Sequence, residues 1–154
     1  MEPGCVLQIE DDEDDVLFFA LAAETAKLEA PICVARDGHE AIEWFKTLLN
    51  STERKPNRAV VLPRVVLLDL KLPRVMGLQV LRWIRERPVL TQVPVIVLSS
   101  STHPNDLENA LKAGADSYVP KPFTLDARIA FAKELKLWFD GEQGLPGSRE
   151  VRPE

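Results

Sequence analysis

Apolar positions fall along this chain in two rhythms. Short, mostly apolar runs occupy residues 5–9, 31–35, 65–69, 94–98 and 116–120. Runs such as Val65-Val66-Leu67-Leu68 and Val95-Ile96-Val97-Leu98 are apolar at every position and rich in β-branched residues, the pattern of strands buried on both faces. Between them lie longer stretches with helical spacing, at 16–28, 39–49, 78–87, 104–114 and 124–139. In the second, Ala41, Ile42, Phe45 and Leu48 share a face. In the last, Leu125, Ile129, Ala132 and Phe139 form one stripe, with Phe131, Leu135 and Trp138 on a neighbouring one. Residues 16–23 are apolar on almost every side, more than one sheet-facing stripe needs, so a docking surface or deeper burial is expected there.

Strand and helix thus alternate five times. Right-handed crossovers then give a parallel sheet covered on both faces. The expected fold is α/β, a flavodoxin-like doubly wound sheet with strand order 2-1-3-4-5. Pro120 lacks a ladder donor, which makes the fifth strand an edge or ends it there. Residues 50–63 read as one long exposed connection carrying Arg54, Lys55, Pro56 and Arg58, with a short strand or apolar patch at 60–62. Residues 5–140 form the expected domain and 141–154 a flexible tail.

Composition narrows the function classes. A length of 154 residues fits one domain with a full core. The net charge of -5 argues against direct nucleic-acid binding. No apolar run reaches the length of a membrane span, and residues 1–4 show no secretion signal. Cys5 and Cys33 are expected as free thiols in a reducing, cytoplasmic setting. With two histidines at no recognisable spacing they make no zinc site.

The chemistry gathers at the carboxyl ends of the strands, where open parallel sheets place their sites. Glu10 and Asp11 follow the first strand, Asp69 ends the third, Ser99 follows the fourth and Lys121 the fifth. All but Lys121 have a plainer explanation. Asp69 could open a turn, the run Glu10–Asp15 could be a solvated charge block, and Ser99 to Thr102 could cap a helix. Asp12 to Asp15 are read only as favouring the positive end of the next helix. Pooled, three carboxylates at about 4 Å would repel by ~4 kcal/mol per pair at an effective dielectric near 20. A divalent cation with oxygen ligands, Mg²⁺ above all, offsets this, and Lys121 adds a fixed positive charge.

These residues resemble the receiver domain of two-component response regulators. The resemblance runs from Val6 to about Phe139. It rests on Glu10-Asp11, on Leu67-Leu68-Asp69-Leu70-Lys71-Leu72-Pro73 with Gly77, on Ser99, on Ala113-Gly114-Ala115-Asp116 and on Lys121-Pro122-Phe123. It implies Asp69 as the phosphoacceptor, taking a phosphoryl group from a sensor histidine kinase. It further implies Mg²⁺ held by Glu10, Asp11, Asp69 and the main-chain carbonyl of Lys71, with Lys121 positioning charge. Ser99 and Tyr118 would be the switch residues, and the Lys121–Pro122 peptide would be cis. The output would be a rearranged surface of the fourth helix, fifth strand and fifth helix, changing partners or a homodimer. No DNA-binding or enzymatic domain is expected after Phe139, and a stand-alone signalling regulator rather than an enzyme is expected. The 50–63 loop and the run Leu68–Arg74 resemble the subgroup that serves phytochrome-type kinases. Lys71, Ser100 and Pro120 depart from the usual residues and bear on the rate of dephosphorylation.

The competing reading is an aspartyl-phosphate phosphohydrolase, which would want a second Asp two residues after the nucleophile, where Lys71 stands. A flavin module on the same fold would want Ser, Thr and Gly after the first strand, where this chain is solid acid.

Overall fold

A computed structural model describes residues 4–54, 61–72, 76–100 and 103–147. Five strands, β1 (Val6–Ile9), β2 (Ile32–Ala35), β3 (Val65–Asp69), β4 (Val95–Ser99) and β5 (Ser117–Pro120), pair in parallel in the order β2-β1-β3-β4-β5. The helices are α1 (Glu13–Thr25), α2 (Gly38–Arg54), α3 (Gly77–Arg85), α4 (Pro104–Lys112) and α5 (Leu125–Phe139), with a 3₁₀ turn at Pro88–Leu90.

Alternation along the strands sorts the core into two layers. Leu7, Ile9, Val66, Leu68, Val95 and Val97 cluster with Phe45, Val80, Leu81, Ile84 and Ala110 of α2, α3 and α4. Val6, Val65, Leu67 and Ile96 cluster with Phe19, Ala23, Phe131 and Leu135 of α1 and α5. Each fully buried Leu, Val or Phe of this kind stabilises the fold by ~1.5–3 kcal/mol. The register aligns the strand ends: Ile9 sits opposite Leu68, Asp69 opposite Leu98, and Ser99 opposite Pro120. The polar residues at and after these ends therefore share one rim.

The elements differ from the sequence expectation mainly at their ends. α1 begins at Glu13 because Asp12 caps it, its carboxylate accepting from the amides of Asp14 and Asp15 at 2.9 and 3.2 Å. α2 continues to Arg54 and takes up part of the expected loop; Lys55, Pro56, Arg58 and Val60 lie outside the described residues. Val61 is exposed and Leu62 packs on the core without forming a strand. α4 is capped by His103, whose Nδ1 accepts from the Asn105 amide, rather than by the serine cluster; Ser101 and Thr102 lie outside the described residues.

Part of the expected tail lies against the domain. Leu145 packs on the α1–α5 core cluster, and the Ser117 hydroxyl donates to the Pro146 carbonyl beside β5. Gly147 has φ +79°, and a Cβ there would come 2.5 Å from Ser117 Oγ and from Val119 Cγ2, so only glycine lets the chain lie this close. The surplus apolar surface of α5 goes largely inward too. Phe131, Ala132 and Leu135 are buried, and Trp138 and Phe139 join the same cluster. On α5, Leu125 and Leu137 remain exposed. The surplus on α1 stays outside, at Leu17, Phe18 and Leu21.

Candidate functional site

At the rim, carboxylate oxygens of Glu10, Asp11 and Asp69 lie within 4.8 Å of one another. Glu10 and Asp69 are buried, and Asp11 is exposed. Both oxygens of Asp69 are engaged. Oδ1 accepts from the Lys71 amide at 2.9 Å, and Oδ2 faces Lys121 Nζ at 3.1 Å. The β3–α3 connection is held close by Gly77, whose amide donates to the Leu70 carbonyl; a Cβ at 77 would stand 2.5 Å from the Asp69 carbonyl oxygen. The Lys71 side chain is exposed, so the position where a phosphohydrolase would carry its acid offers Asp69 a main-chain N–H instead.

Lys121 is the positive centre. Its ammonium lies 2.6 Å from Glu10 Oε1 and 2.9 Å from Asp15 Oδ2, besides its contact with Asp69. Burial alone would lower its pKa, but the hydrogen bonds to Glu10 and Asp15 and the charge of Asp69 outweigh this and raise it. It is a permanent cation at any working pH. Glu10 is pushed up to about 7, first by burial and then by the charge of Asp69, against the opposing pull of Lys121. One ammonium therefore does not fully compensate these carboxylates. Clustered hard oxygen donors with excess negative charge fit a divalent cation of the magnesium class.

Ser99 is buried at the tip of β4, and its carbonyl accepts the Lys121 amide at 2.9 Å. That bond carries Lys121 from the β5 edge into the pocket. Tyr118 belongs to the α2–α3–α4 core cluster and is 8% exposed, so its ring already occupies the inward position. The Lys121–Pro122 peptide is trans, contrary to the sequence expectation; no cis bond is present among the described residues. Trans is the lower-energy isomer of an X–Pro bond by ~0.5–1 kcal/mol, and Lys121 reaches all three carboxylates without the other.

Asp15 was missed by sequence reasoning, which gave it only a helix-end role. It stands in the first turn of α1, one oxygen on Lys121 and the other 2.6 Å from Arg128 Nη2 of α5. The signal in the sequence was slight: Asp15 follows the pocket residue Asp11 by four positions, in the first turn of α1. Arg128, a charged residue among apolar neighbours on α5, showed nothing at the sequence level to mark it as buried.

Comparison with known proteins bears on this arrangement. The description "Response regulator receiver domain" matches residues 6–132. The chain belongs to the response regulator receiver family. It is 32% identical over 146 residues to the probable methanogenesis regulatory protein FilR2 of Methanothrix harundinacea, covering 95% of this chain and 90% of that protein. Among solved structures, the bacteriophytochrome response regulator AtBRR is 35% identical, with a TM-score of 0.66 over 82% of this chain and 88% of that one. The phosphorylated cyanobacterial phytochrome response regulator RcpA is 26% identical, with a TM-score of 0.74 over 94% and 99%. The chain is thus a receiver domain of two-component signalling, and its structural neighbours include phytochrome-associated regulators. Among the described residues no helix is long and apolar enough to cross a membrane.

Proposed function

We propose that this receiver takes a phosphoryl group on Asp69 from the phosphohistidine of a sensor kinase. The observation that carries the reading is the convergence of Glu10, Asp11, Asp69 and Lys121 from three strand ends on one rim. In the transfer, an Asp69 carboxylate oxygen forms the new bond to phosphorus as the phosphorus–nitrogen bond breaks and the imidazole leaves. The Lys71 amide fixes one Asp69 oxygen and Lys121 faces the other, so the nucleophile is held in one orientation. Glu10, Asp11, Asp69 and the main-chain carbonyl of Lys71 would hold Mg²⁺. When bound, the ion supplies positive charge against the phosphoryl oxygens and the site carboxylates. Lys121 contributes the fixed share of that charge, and Ser99, buried at the tip of β4, would donate its hydroxyl to a phosphoryl oxygen.

The added group brings about -1.5 to -2 charges and strong acceptor oxygens. Ser99, in the last pair of the β4–β5 ladder, and Tyr118, opposite Val97 within it, then favour one of two packings of α4, β5 and α5. Because Tyr118 is already inward, the change is a shift in population towards this packing rather than a new position for the ring. The donor we infer is a phytochrome-type sensor kinase in the cytoplasm; this rests on the likeness to AtBRR and RcpA.

Incubation with acetyl phosphate and Mg²⁺ tests the reading. Intact mass is expected to rise by about 80 Da, one phosphoryl group, and Asp69→Asn is expected to abolish the gain. A gain that survives in Asp69→Asn would overturn it.

The reading includes pairing of two copies through α4–β5–α5. Its support is the exposed Leu125 and Leu137 on α5, beside the exposed Lys136–Asp140 ion pair. Light scattering at protein concentrations of tens of micromolar is expected to give the mass of a dimer; a monomer with and without phosphorylation would contradict the pairing.

A further inference from the structure

One carboxylate at the rim points two ways. Asp15 Oδ2 takes the Lys121 ammonium at 2.9 Å, while Oδ1 takes Arg128 Nη2 at 2.6 Å. Arg128 is only 9% exposed, and a guanidinium so buried needs partners for its charge and its donors. It finds them in Asp15, in the Pro122 carbonyl, which accepts from Nε at 3.2 Å, and in the face of Phe18, 4.9 Å from its central carbon. Lys121, Asp15, Arg128 and Pro122 therefore form a closed ring of contacts, completed by the Lys121–Pro122 peptide. The ring joins the rim of the sheet to the first turns of α1 and α5.

We propose that Asp15 is a positioning residue: it sets Lys121 in the pocket and, through Arg128, ties the state of Asp69 to the amino-terminal turns of α5. The proposal rests on phosphorylation of Asp69 as described above. An ammonium has three donors, and here three carboxylates take them. Phosphoryl oxygens arriving on Asp69 add acceptors beside Lys121 that can be met only by weakening an existing contact. Glu10 and Asp69 stay within the pocket. Asp15 alone of the three is held from outside it, by Arg128, so the contact that yields is the one anchored on α5. Arg128 is the fourth residue of that helix, and its shift is felt by Pro122 and by the helix start together.

A merely structural α1–α5 ion pair would lower the melting temperature when broken but leave the response of α5 to phosphorylation intact. The test is amide hydrogen exchange over residues 125–132 of the full chain, with and without acetyl phosphate and Mg²⁺. It is carried out on the wild type, Asp15→Asn, Arg128→Gln and the double variant, at matched phosphoryl occupancy by intact mass. In the wild type, phosphorylation is expected to change exchange in this segment. In each single variant the change is expected to fall below about half, and in the double variant no further, since both act through one contact. Should either variant melt before the measurement, Arg128→Lys replaces it, keeping the charge without the fork, and the same loss is expected. An undiminished α5 response in the variants, or a phosphorylated wild type with unaltered α5 exchange, would overturn the proposal. A wild type that gains no phosphoryl mass would instead overturn the receiver chemistry on which it stands.

Discussion

Glu10 shows how much a single side chain depends on what surrounds it. The sequence places it beside Asp11 as a pocket residue, but its burial and its proximity to Asp69 are properties of the assembled rim. They lift its pKa from the ordinary 4.5 to about 7. A carboxyl raised on folding favours the native state most where both states are protonated, below about 4.5. That contribution is lost as pH rises through about 7, where the folded group ionises. The metal-free protein is therefore expected to melt at higher temperature near pH 6 than near pH 8 on account of this group. Saturating Mg²⁺, which holds the carboxylates ionised, is expected to flatten or reverse the trend. Thermal melts in chelator and in Mg²⁺ check this, and superimposable pH profiles would contradict it. Asp15 marks the limit of what could be read at this scale. Its acidic neighbours explain an Asp at a helix start, and its partner Arg128 lies 113 residues away.

At the scale of elements, existence and type followed from hydrophobic rhythm, whereas ends followed from contacts that rhythm does not encode. β3 and β4 are apolar up to their last residues, Asp69 and Ser99, and buried throughout but for half-buried Leu98, as strands covered by helices on both faces must be. The start of α1 was set by the Asp12 cap, and the length of α2 by a pattern that runs past Leu49 into a polar turn. The segment after α5 was illegible because its glycines and prolines describe a tail equally well. What holds it is one leucine against the α1–α5 core and one hydroxyl on β5. Leu145→Ala is expected to lower stability by about 1–2 kcal/mol, less than a fully buried leucine because Leu145 is half-buried. Chemical denaturation checks it; a change within error would return this segment to the status of a loose tail.

For the molecule as a whole, alternation of strand and helix determined the layer order and therefore which strand ends meet. The order β2-β1-β3-β4-β5 puts β1 and β4 on either side of β3, with β5 next to β4. Glu10, Asp69, Ser99 and Lys121 are neighbours for that reason, although 111 positions separate the first from the last. The isomer of the Lys121–Pro122 peptide was not legible, since the local sequence permits both and the pocket accepts the trans form. The inward packing of the α5 stripe was not legible either: its chief neighbour is α1, distant in sequence.

Asp69 is the residue expected to carry the phosphoryl group. The direct measurement is borohydride reduction of the acetyl phosphate-treated protein, followed by peptide mass mapping, because an acyl phosphate is reduced to the alcohol while a phosphate ester is left untouched. The expected result is homoserine at position 69, dependent on Mg²⁺. Reduction at a different carboxylate, or a phosphoryl group that resists borohydride, would contradict the account.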